Sequence, residues 1–140
     1  MSDQPVPTLG ETLSGALRAG NVLDHNCPSR AVLRGLTGQW AVLVLIVLEE
    51  GTLRFAELRR RVSGVSDRML AQTLQRLEAD GMVDRRAYPV VPPHVEYALT
   101  PLGREAAVRV RELADWVAGN IAPILDAQRR YADMREPATA

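Results

Sequence analysis

Between Arg54 and Leu99 the spacing of apolar positions changes from helical to alternating. Phe55, Leu58 and Val62 recur at three and four residues, which predicts a helix over Phe55–Val62 with one inward face. Ser63-Gly64-Val65 reads as a tight turn, with Gly64 free to take the positive φ of a sharp reversal. A second helix opens at Ser66, a good N-cap, and closes at Gly81. At about 100° per residue, Leu70, Leu74 and Leu77 fall on one narrow stripe of it. Arg68, Gln72, Gln75 and Ala79 lie opposite that stripe, and Met69 and Arg76 sit on its flank. Beyond Gly81 the period becomes two: Val83, Arg85 and Ala87, then Val95, Tyr97 and Leu99. Two strands are therefore expected, joined by a tip in which Pro89, Pro92 and Pro93 donate no ladder hydrogen bonds. Thr52-Leu53-Arg54 is a candidate short third strand.

The flanking segments supply the rest of the core. Trp40 to Leu48 is an apolar run bounded by Gly38 and Glu49-Glu50-Gly51. A bilayer span needs about 20 residues, so a buried central helix is expected here. Thr100-Pro101 carries the hydroxyl cap and N1 proline of a helix start. That helix is expected to run past Asn120, with Gly119 and Pro123 marking a break before Ile124 to Met134. Leu102, Ala106, Val110, Leu113, Val117 and Ile121, with Trp116 beside them, make more apolar length than a small core covers. Either a second copy or the chain's own helix over Leu9 to Ala19 is expected to cover them. The chain divides into an N-terminal extension over 1–26, a central domain over 27–100, and a C-terminal dimerisation helix with its tail over 101–140.

Helix, turn, helix and hairpin in that order predict a mainly α fold with a small β wing, a winged helix-turn-helix. Such a fold lays its second helix in the major groove of double-stranded DNA, where arginine suits guanine and glutamine suits adenine. The candidate DNA contacts on that helix are Ser66, Arg68, Met69, Gln72, Thr73, Gln75 and Arg76. Around it, Arg54, Arg85, Arg86 and His94 are candidates for the flanking backbone. Net charge is zero over the 140 residues, yet residues 54–89 hold eight arginines against five acids. Basic charge is thus concentrated where the helix-turn-helix is expected, and salt-resistant non-specific binding is not. All 17 basic residues are arginine, which suits bidentate recognition and equally fits a genome rich in arginine codons.

Other classes are excluded or weakened. A phosphate-cradling glycine loop, a Gly-x-Ser-x-Gly elbow and clustered histidines are all missing, so no enzyme and no cofactor are expected. His25 and Cys27, two residues apart with only His94 in addition, make a poor metal site. Met1 to Glu11 has no charged and apolar leader pattern, and a lone cysteine forms no intrachain disulfide. A cytoplasmic protein with no membrane segment is the resulting expectation.

The residues also resemble a known family, the HxlR-type, MarR-like transcriptional regulators of bacteria. Matching features begin with Cys27-Pro28, Gly38-Gln39-Trp40 and Arg54-Phe55-Ala56-Glu57-Leu58. They continue through Val65-Ser66, Leu74-Gln75-Arg76-Leu77-Glu78 and Asp80-Gly81-Met82-Val83. The proline-containing wing, Tyr88 to Tyr97, and Leu99-Thr100-Pro101-Leu102-Gly103 complete the likeness, which spans about residues 27–118. The resemblance implies a homodimeric repressor or activator on a pseudo-palindromic operator. This chain departs from the family at Gln39, at Ser66-Asp67-Arg68 and at Thr73, so no operator sequence carries over. Cys27 precedes Pro28 at a helix N-terminus, where the macrodipole favours a thiolate. The resemblance implies a sensor of electrophiles or oxidants there, while the residue type alone fits a small buried hydrophobe equally well. Two further readings stand beside these. One is a small apolar effector held at the dimer seam near Trp40 and Trp116, and the other is a winged-helix module that binds protein instead of DNA.

Overall fold

A computed structural model describes residues 21–136, and the expected helix over Leu9 to Ala19 lies outside them. After a 3₁₀ turn at Asn21–Leu23, the chain forms α1 (Pro28–Thr37), α2 (Gln39–Leu48), β1 (Leu53–Arg54) and α3 (Phe55–Arg61). It continues through α4 (Asp67–Ala79), β2 (Val83–Tyr88), β3 (His94–Leu99), α5 (Pro101–Gly119) and α6 (Ile121–Arg135). The strands form one antiparallel sheet in the order β1-β3-β2, with Val83 opposite Leu99 and Tyr88 opposite His94. Leu53 pairs with Tyr97 and Arg54 with Glu96, so the short third strand expected from Thr52-Leu53-Arg54 is present. This is a mainly helical winged helix-turn-helix with a small sheet.

The apolar α2 occupies the centre, in contact with α1, α3, α4, α5 and β3. Val44 and Leu45 are fully buried there, with Leu58 of α3 and Leu70, Leu74 and Leu77 of α4 around them. The leucine stripe read from sequence is thus the inner face of α4. Ser66 caps the helix, its Oγ accepting a hydrogen bond from Met69 N at 3.1 Å. At the other end Gly81 takes φ +77°, a left-handed exit open to glycine, and Met82 N returns to Leu77 O. No single described helix is long and apolar enough to cross a membrane.

The C-terminal helices differ from expectation in two ways. The core runs through the first half of α5, which buries Gly103, Ala107 and Val110. Val110 is only 9% exposed and Ala106 packs against the same core, so both contribute to the chain's own core. Leu102, Leu113, Trp116, Val117 and Ile121 remain exposed. The stripe fails as one unit because the buried ridge of α5 follows Gly103, Ala107 and Val110, and the helix has passed the core edge after Val110. The helical break falls at Asn120, and Pro123 lies inside the first turn of α6. A proline is tolerated there because first-turn N–H groups have no intrahelical partner.

Candidate nucleic-acid interface

The outer face of α4 is open. Arg68, Met69, Gln72 and Gln75 are all exposed along it. Among the described residues Arg68 makes no ion pair, whereas its neighbour Asp67 is held by Arg59 of α3. That pair engages the acid beside it and leaves an unpaired guanidinium, among the described residues, at the N-terminal end of α4. Ser66 also lies at this end, its oxygen engaged as the cap and its proton still free to donate. Thr73 is partly covered, and its Oγ1 donates to Met69 O at 2.7 Å. Its hydroxyl proton is thus engaged within the helix.

Strand alternation sorts the wing residues onto two faces. Arg85, opposite Tyr97, lines a groove with Ala71, Leu74, Gln75 and Glu78 and so sits beside the outer face of α4. Arg86 pairs in register with Glu96, which also faces Arg54 across the other edge of β3. Arg54 and Arg86 therefore flank one carboxylate on the face away from Arg85, where Arg86 lines a cleft with Arg104, Asp84 and Pro101.

His94 belongs to the same outer face and is engaged there within the chain. Its Nε2 lies 2.7 Å from Glu96 Oε1, its ring meets Tyr88 edge to face, and Tyr88 OH donates to Glu96 Oε2 at 3.3 Å. These contacts hold the Glu96 carboxyl below the ordinary carboxylate range, chiefly through the His94 hydrogen bond. They form a cross-strand brace at the tip end of the hairpin. Sequence reasoning missed Glu96, although its place between Arg54, Arg86, Tyr88 and His94 follows from period two once the register is known. Beyond this brace the tip is apolar, with Val91 99% exposed.

Arg76 also departs from expectation. Its Nε donates to Asp80 Oδ2 and its Nη2 to the Ala31 carbonyl of α1, each at 2.9 Å. The Arg76–Asp80 spacing of four residues was a readable signal for the first of these bonds. Trp40, Gly35, Gly38, Gln72, Thr73 and Arg76 line a groove between α1, α2 and α4. Trp116 is not among that groove's lining residues and stands 59% exposed on α5.

Cys27 is the N-cap of α1 and only 6% exposed, with no hydrogen bond from its side chain to the helix. It lies outside the main apolar cluster. Burial at this position matches the small-hydrophobe reading of the residue and limits direct access to its thiol.

Comparison with known proteins matches this architecture. The model of the HxlR-like helix-turn-helix family matches residues 35–135. The HTH-type transcriptional regulator YtfH of Escherichia coli is 54% identical over 114 residues, covering 81% of this chain and 90% of its own length. The structure of ytfH from Salmonella typhimurium, named a transcriptional regulator, is 54% identical with a TM-score of 0.74, covering 79% of this chain and 97% of that one. The redox regulator HypR in its reduced form is 36% identical with a TM-score of 0.64, covering 71% of this chain and 98% of its own. An open recognition face beside a wing, on a chain this similar to named regulators, is a helix-turn-helix transcriptional regulator, and the chain belongs to the HxlR-like helix-turn-helix family.

Proposed function

We propose that this protein is a homodimeric repressor that reads a pseudo-palindromic operator by placing the N-terminal half of α4 in the major groove of each half-site. The observation that carries this reading is the open face of Ser66, Arg68, Met69, Gln72 and Gln75 on a helix whose opposite stripe is fully anchored. Arg68 and Gln72 supply the bidentate pairings for guanine and adenine, and Met69 offers an apolar surface to a thymine methyl. Arg85, beside the outer face of α4, reaches the DNA backbone there in this reading, and Arg54 and Arg86 serve the outer side of the wing. The exposed Leu113, Trp116, Val117 and Ile121 give a second copy an apolar seat along α5 and α6. The test is a titration of the chain's own upstream intergenic DNA by fluorescence anisotropy at several salt concentrations. With so few free arginines, the expected slope of log K against log salt is shallow, about −3 to −5 for the dimer. Equal affinity for unrelated DNA at every salt concentration would remove the operator reading and favour a protein-binding module.

Thiol control through Cys27 is a second reading, supported by its position at the N-cap of α1 and by likeness to a protein named a redox regulator. The expected result is that diamide shifts operator affinity of the native chain and leaves Cys27→Ser unchanged. An identical response in both proteins would end this reading.

A further inference from the structure

The guanidinium of Arg76 bridges two helices that are distant in sequence. Through Nε it holds Asp80 of its own helical end, and through Nη2 it holds the carbonyl of Ala31, 45 residues upstream. One turn after Ala31 comes Gly35, whose missing side chain makes room for this bridge. A Cβ at Gly35 would lie 3.2 Å from Arg76 Nε and 3.4 Å from Asp80 Oδ2, so the neighbours would have to give way. Helix α1 contributes no fully buried residue from its own length, and only Val32 and Leu36 are half-buried against the core. The polar bridge is therefore a direct tie between α1 and α4 where apolar packing is thin. Asp80 orients the guanidinium and compensates its charge, and its side chain is only 19% exposed.

We propose that Arg76 is a positioning residue that locks the recognition helix to α1, so that the setting of α1 governs operator affinity. This rests on the DNA-binding reading above, and it assigns Arg76 a role inside the protein in place of the base or phosphate contact its helical flank suggests. It also provides a physical route from the N-terminus of α1 to α4, since Ala31 lies one turn beyond the Cys27 cap.

The two roles give opposite signs at Asp80. If Arg76 touched DNA, neutralising the adjacent carboxylate would leave affinity unchanged or raise it. If Arg76 is a lock, losing the carboxylate frees the guanidinium and weakens binding. The experiment compares the full-length protein with Arg76→Gln, Arg76→Lys, Asp80→Asn and the Arg76→Gln/Asp80→Asn double variant, titrating operator DNA at several salt concentrations. Each single variant is expected to bind about tenfold more weakly, the scale of one lost hydrogen bond to a charged group. The salt slope should stay unchanged, and the double variant should be no weaker than the singles, because all remove one shared bridge. Arg76→Lys keeps the charge but not the fork, and is expected to fail like Arg76→Gln. A readout without DNA is the rate at which an aromatic disulfide reagent labels Cys27, expected to rise severalfold as α1 loosens. Native or tighter operator binding by Asp80→Asn overturns the proposal, as does a salt slope reduced by about one in Arg76→Gln. Unchanged Cys27 labelling in all four variants also overturns it, and this arm decides even where the native chain binds no operator.

Discussion

Replacing Gly103 by alanine is expected to cost more than ~3 kcal/mol of stability, beyond the usual range for overpacking. In an ordinary helix the same change stabilises by about 1 kcal/mol, so the sign itself is diagnostic. Here a Cβ would lie 1.9 Å from the Met82 carbonyl oxygen and 2.8 Å from its carbon. Neither partner can yield cheaply. Met82 N is bonded to Leu77 O at the end of α4, and Met82 O accepts from Thr100 N at 3.1 Å. Thr100 Oγ1 donates to Gly81 O at 2.6 Å and accepts from Gly103 N at 2.9 Å. The start of α5 is thus clasped to the exit of α4, and relief of the clash must displace one of them. Thermal unfolding should show a fall in Tm of about 10 °C. A Tm within about 2 °C of the native value would contradict the close approach.

Arg68→Ala carries the largest expected effect on function. Arg68 is the second residue of α4, within the N-terminal stretch from which recognition helices reach base edges. Its side chain is exposed and, among the described residues, free of ion pairs. Its loss should weaken operator binding by ~1–3 kcal/mol, roughly tenfold to a hundredfold, and relax the preference at one base pair of each half-site. The melting temperature should not change, because no core contact is removed. Arg59→Ala differs in kind: it releases only an exposed ion pair with Asp67, so stability should change by less than about 1 kcal/mol.

How far the sequence could be read depended on the range of the interaction. The leucine stripe of α4, the Ser66 cap, the hairpin and its proline stop are local patterns, and the structure places them within a residue or so of expectation. The short β1 was also legible, because its pairing partner follows from the same alternation. The fate of Arg76 was not, since it depends on a backbone carbonyl of α1, which no local period encodes. His94 was read as a backbone contact because a histidine beside a wing tip is a reasonable cation. Its intramolecular partners were not legible, because register sets it against Tyr88 and next to Glu96 on one face. The α5 stripe was legible as apolar but not as divided. Val110 and Leu113 are three residues apart, yet one is buried and the other is 56% exposed, because the helix leaves the core between them.

The outer face of α4 as a reader of major-groove bases is most directly tested by dimethyl sulfate footprinting, which reports guanine N7 in that groove. With the native chain, protection is expected in two clusters roughly one helical turn apart, and Arg68→Ala should lose the central guanine of each cluster. Protection that survives the substitution unchanged, or no major-groove protection under conditions where the DNA is bound, would contradict the account.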